Sequence, residues 1–98
     1  MVNKAFGYLG IAARARKIAI GETAYHAIVS KKAKLVFLAS DASERTSSKI
    51  QHVCNSCAVE CITGFSSEEI SSAIGQFNRM TVAVLDQGLA EQIKNCLK

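Results

Sequence analysis

The twelve residues Lys32–Ser43, KAKLVFLASDAS, change character twice. Two lysines lead into an unbroken apolar run, and the run ends in small polar residues. Branched and aromatic side chains packed side by side over 34–39, without alternation, predict a strand covered on both faces. Such a strand needs helices above and below it, and helical periods do flank it in both directions.

Upstream, residues 3–15 put Phe6, Leu9, Ala12 and Ala13 on one stripe with Lys4 and Arg14 outside it, as in an amphipathic helix. IAI at 18–20 is a short strand, and residues 22–31 carry Ala24, Ala27, Ile28 and Lys31 at helical spacing after Gly21. Downstream, Ile50, Val53, Cys54 and Cys57 fall at i, i+3, i+4 and i+7, which gives a helix one apolar face. CIT at 61–63 is another short strand. Ser66 and Glu69 then have capping-box spacing ahead of a core-facing stripe of Ile70, Ala73, Ile74 and Phe77. MTVAVL at 80–85 is a second strand of the buried kind. The last helix is entered through Asp86-Gln87-Gly88 and faces inward with Leu89, Ile93, Cys96 and Leu97.

The order α-β-α-β-α-β-α-β-α runs without proline, linker or internal repeat. It predicts a single α/β domain over residues 1–98, with helices on both faces of a small central sheet. A chain of 98 residues with 49% hydrophobic and 20% charged residues has the composition of one folded core. No apolar run approaches the ~18 residues of a membrane span, and MVNKAFGYLG has no signal-peptide pattern. The expectation is a cytoplasmic protein without a membrane partner, its four cysteines reduced.

Net charge is +4, distributed as +6 over residues 1–49 and −2 over 50–98. A basic half suits a polyanionic partner. Cys54-Asn-Ser-Cys57 followed by Cys61 raises zinc, an iron–sulfur cluster or a redox pair. Against this, Cys54 and Cys57 share a face with Ile50 and Val53, and only His52 lies near as a fourth ligand; the group reads as core packing. His26 and His52 read as surface histidines, with no nucleophile or carboxylate beside them at a catalytic spacing. GxGxxG and GxxxxGK[ST] are both missing. The sequence therefore predicts no enzyme, no cofactor and no metal.

What remains is IAARARKIAIGETAYH at 11–26, where Arg14, Arg16 and Lys17 precede a helix that opens on Gly21. A helix N-terminus presents unpaired N–H groups and a positive dipole end, which suit a phosphate or a base edge. Gly21 admits a close ligand; Thr23 offers a hydroxyl, and Glu22 an acceptor for base amino groups.

These segments carry a resemblance. ARARK-IAIGE, KAKLVFLASDAS, ISSAIG and VAVLDQG, in that order through nearly the whole chain, resemble the bacterial YlxQ branch of the kink-turn-binding ribosomal protein superfamily, the L-seven-Ae / L-thirty-e type. The resemblance implies a three-layer α-β-α sandwich around a four-stranded mixed sheet. It also implies a monomer that binds structured RNA of the kink-turn type, ribosomal RNA included. In that family the helix after the glycine enters the groove at sheared G·A pairs, and the loop before the last strand packs on bases extruded at the bend.

Carried over, Gly21 matches the family glycine and Lys17 a basic position before it. Lys32 and Lys34 become phosphate contacts, and Asp41 belongs to the loop that follows the second strand. Arg79 becomes a phosphate contact in the final loop, with Met80 or Phe77 available to an unstacked base, although the helical stripe favours the core for Phe77. Thr23 and Ala24 stand where tightly binding relatives read Asn-Glu, and Ala27 where a lysine often follows. Two other readings use the same residues: a protein-interaction module on this scaffold, and a thiol-based metal or redox protein centred on Cys54 and Cys57.

Overall fold

The computed structural model describes residues 4–97. Asn3, the first residue of the predicted opening helix, lies outside the described residues, as do both ends of the predicted 1–98 domain. In chain order the elements are α1 (Lys4–Arg14), β1 (Ile18–Ile20), α2 (Glu22–Val29), β2 (Leu35–Leu38), α3 (Glu44–Ser56), β3 (Cys61–Ile62), α4 (Ser67–Ile74), β4 (Thr81–Val84) and α5 (Gln87–Cys96). The strands form one sheet in the order β1-β4-β2-β3. β4 is antiparallel to both β1 and β2, and β3 runs parallel to β2, so the sheet is mixed.

The unbroken apolar runs sit where their composition requires. All four residues of β2 and all four of β4 are buried. Their side chains alternate between two cores, because successive strand residues point to opposite faces. Leu35, Phe37, Val82 and Val84 meet Ala5 and Leu9 of α1, Ile70 and Ile74 of α4, and Ala90 and Ile93 of α5. Val36, Leu38 and Ala83 meet Ala24, Ala27 and Ile28 of α2, and Ile50, Val53 and Cys54 of α3. The result is a three-layer α-β-α sandwich with α1, α4 and α5 on one side and α2 and α3 on the other. Burying one side chain such as Phe37 contributes about 1.5–3 kcal/mol, so the two-faced strands carry much of the stability. Gly10 allows α1 to approach α4, since a Cβ there would lie 3.1 Å from the Ala73 carbonyl oxygen.

Local chemistry sets the helix ends. Ser66 and Glu69 form the expected capping box at α4, Ser43 accepts from the Thr46 amide at α3, and Asp86 accepts from the Leu89 amide at α5. Two ends differ from the sequence reading. α2 stops at Val29 and not at Lys31, because Ser30 caps it and Lys31 takes the left-handed backbone (φ 64°). α4 stops at Ile74, where Gly75 turns the chain left-handed (φ 71°). Phe77 therefore never rejoins the apolar stripe, and it is 86% exposed rather than part of the core. Among the described residues, no helix is long and apolar enough to cross a membrane.

Candidate functional site

β1 ends, β4 begins and β2 ends at the same end of the sheet, because β4 runs antiparallel to both neighbours. The Gly21 amide donates to the Thr81 carbonyl at 3.1 Å, and the Ala39 amide donates to the Met80 carbonyl at 2.8 Å. These bonds set the start of α2 beside the 75–80 turn. Gly21 has φ 62° and ψ −127°, a backbone region that only glycine enters without strain. The chain makes a sharp corner there into α2, whose N-terminus has no side-chain cap.

A groove of about 280 Å³ lies at this corner. Gly21, Glu22 and Tyr25 line it from α2, Thr46, Lys49 and Ile50 from α3, and Asn78, Arg79 and Met80 from the turn before β4. Lys49 Nζ lies 3.4 Å from Glu22 Oε1 and 4.3 Å from the centre of the Tyr25 ring. Arg79 is held by its backbone. Ser71, only 3% exposed, accepts from the Arg79 amide at 2.8 Å and donates to its carbonyl at 3.4 Å. Its guanidinium makes no ion pair among the described residues and is exposed. The groove therefore presents two cations, one carboxylate, free helix amides and one aromatic face, a donor-rich set suited to phosphate and base edges.

Of the residues the sequence singled out, Gly21, Glu22, Arg79 and Met80 come together here, and Thr23 is exposed on the same first turn of α2. Ala24 and Ala27 are buried against the sheet, so the two alanines face the core. Glu22, Thr23, His26 and Val29 are the outward positions of α2.

Lys17, Lys32 and Lys34 are elsewhere. The Leu85 amide donates to the Lys17 carbonyl and the Lys34 amide to the Val84 carbonyl, both at 2.7 Å, which fixes Lys17 and Lys34 at the opposite end of the sheet. Lys32 sits in the turn leading to Lys34, its amide donating to the Ala27 carbonyl. Four strand residues at about 3.3 Å each separate that end from the groove by more than 10 Å.

Asp41 is at the groove end but engaged. Its two carboxylate oxygens accept from the Ser67 amide and the Ser67 hydroxyl, each at 2.6 Å, tying the end of β2 to the start of α4. The Ser67 hydroxyl, then its amide, hold the Asp41 carboxyl below the usual aspartate range.

Sequence reasoning missed Tyr25, Thr46, Lys49 and Asn78. Lys49 and Glu22 are 27 positions apart, and only the packing of α3 beside α2 joins them. Asn78 did leave a signal, since asparagine tolerates the left-handed backbone it adopts (φ 54°). Three of the four cysteines pack on the α2/α3 side of the sheet, and Cys96 of α5 packs on the other. Cys54 is buried, with Cys57 and Cys61 partly buried beside it. A hydrogen bond to Cys61, and then burial, push the Cys54 thiol up. Among the described residues, no three histidines, cysteines or acids group so as to hold a metal ion.

Comparison with known proteins places this architecture. The profile of the ribosomal protein L7Ae/L30e/S12e/Gadd45 family matches residues 3–94. The chain belongs to this family. Two curated relatives, the RNA-binding proteins YlxQ of Enterococcus faecium and of Bacillus subtilis, are 38% and 39% identical to it. The alignments cover 98% and 94% of this chain, and 93% of each relative. A Bacillus halodurans protein of unknown function superposes with a TM-score of 0.92 at 29% identity over 98% of both chains. The Giardia lamblia 15.5kD RNA binding protein shares the fold, with a TM-score of 0.73 at 16% identity over 93% of this chain and 85% of its own.

Proposed function

We propose that this member of the L7Ae/L30e/S12e/Gadd45 family is a non-enzymatic RNA-binding protein that recognises kink-turn-like RNA at the groove between α2, α3 and the 75–80 turn. In this reading it acts as a cytoplasmic monomer associated with the ribosome. One observation carries the proposal: the uncapped N-terminus of α2 and the Arg79 turn are bonded into one corner through Gly21 and Thr81. The names of the curated relatives support RNA as the ligand class.

The mechanism is architectural. A bent RNA brings a phosphate backbone and opened base edges to one place, and the corner offers amide donors, Arg79 and Lys49 to meet them. Glu22 and Thr23 face outward at the helix start, where they meet base amino groups. In this reading the extended RNA makes fewer of these contacts at once than the bent form does. Differential affinity then draws the RNA toward the bent form. Lys49 exchanges its exposed contact with Glu22 for phosphate at small cost, because exposed ion pairs contribute only about 0–1 kcal/mol.

The test is a kink-turn RNA labelled with a fluorophore pair on its two arms. The protein should increase energy transfer, and replacing the G·A pairs with Watson–Crick pairs should abolish the response. Equal binding to a plain duplex of the same length, with no change in transfer, rejects the proposal.

A further inference from the structure

The far end of the sheet carries a second concentration of charge. Arg16, Lys17, Lys31, Lys32 and Lys34 are all exposed, and they occupy the two turns that lead into β1 and β2. β4 lies between those strands, and the bonds from Lys17 and Lys34 reach its adjacent residues Leu85 and Val84. Two strand spacings put the Lys17 and Lys34 Cα atoms about 10 Å apart, so the two turns form one surface.

Helix dipoles do not account for this cluster. A cation near the C-terminus of α1 or α2 is stabilised by the dipole, but the effect fades beyond the last turn, and Lys34 belongs to neither helix. The acids nearest along the sheet end are Asp86 and Glu60. Asp86 Oδ1 accepts from the Leu89 amide, and neither acid pairs with any of the five cations among the described residues.

A second observation concerns the backbone. Arg16 and Lys31 both adopt left-handed conformations just past a helix end, with φ 58° and 64°. Glycine usually holds that position, and a side chain there is strained. Both turns place a long cation at it; Ala58 past α3 takes the same backbone (φ 57°), so the conformation shapes these turns and it is the side chains that distinguish them. The rings beside the groove, Tyr25 and Phe77, have no counterpart here, so the surface lacks the aromatic anchors of a protein interface.

We infer that this pair of turns binds the phosphate backbone of an RNA duplex, separately from the groove, so that the chain bridges two RNA segments. The inference extends the RNA-binding reading to a second face, and the two are tested apart. Phosphate contacts of this kind carry no sequence preference and are strongly salt-dependent.

The experiment uses the full chain with two probes, a plain RNA duplex of about 20 base pairs and a kink-turn RNA with arms too short to reach across the sheet. The expected result is a ternary complex of protein, short kink-turn and duplex. Combining Lys17→Ala, Lys32→Ala and Lys34→Ala should weaken duplex binding about ten-fold or more and lower its salt slope by about three contacts. Among the described residues these lysines make only backbone hydrogen bonds, so an unchanged thermal melt should show the variant folded, with kink-turn affinity unaltered. Arg79→Ala should do the reverse.

The inference is overturned if the duplex does not bind, if duplex and kink-turn compete for one site, or if the triple variant keeps the full salt slope. Polyglutamate held by these turns where the duplex is not would likewise overturn it in favour of an acidic protein. Duplex binding that depends on the three lysines, with no kink-turn binding at all, would leave this inference standing and remove the groove reading.

Discussion

The amide of Gly21 and the carbonyl of Thr81 meet at 3.1 Å, and this bond joins the start of α2 to the start of β4. Sixty residues separate the two in sequence. The groove exists because they are adjacent, and its parts stand or fall together.

Gly21→Ala tests the corner. Among the described residues, nothing beyond the adjoining residues of the chain lies within 4 Å of where the new Cβ would be, so the cost is backbone strain rather than collision. A non-glycine residue in that conformation should lose about 1–3 kcal/mol, read as a lower urea midpoint with unchanged slope. RNA affinity should fall in the same variant, since relief of the strain turns α2 away from the Arg79 turn. Full stability would mean that the corner has more freedom than its dihedrals indicate.

Ser71→Ala tests the support of Arg79 from below. The variant leaves the Arg79 amide without its partner beside a buried position, a loss of about 1–3 kcal/mol by equilibrium unfolding. Ser71 is buried and lies outside the groove lining, so reduced RNA affinity in this variant would act through the turn it holds. Amide exchange at Arg79 should quicken, while exchange in β2 keeps pace with global stability. Protected Arg79 exchange in the variant would place the anchor elsewhere.

Acid should loosen the strap between Asp41 and Ser67. The Asp41 carboxyl is held below its ordinary range in the folded protein, so its contribution is present above the unfolded value near pH 4. That contribution is lost as pH falls through the lower folded value. Urea midpoints compared at pH 6 and pH 3 should therefore drop more for the parent than for Asp41→Asn. Parallel drops would assign the acid sensitivity to other carboxylates.

The architecture was legible in the sequence because hydrophobic period and cap chemistry agree element by element. LVFL and TVAV have no polar face to offer water, and Ser66 with Glu69 marks the start of α4 without ambiguity. The candidate site was legible only within single segments, at Gly21–Thr23 and at Arg79–Met80. Lys49 entered the groove through tertiary packing that no local pattern encodes. Lys17 stands four positions before Gly21, yet β1 carries the chain across the sheet between them, so nearness in sequence became distance in space. Phe77 was misread because a left-handed glycine two residues earlier outweighs a helical period.

Amide chemical-shift mapping with a short kink-turn RNA tests the central claim most directly. The account predicts that shifts concentrate at Gly21–Tyr25, Thr46–Ile50 and Asn78–Thr81, while Lys17, Lys32 and Lys34 stay still. Shifts gathered instead on β3 and α5, with the Gly21 corner silent, would contradict it.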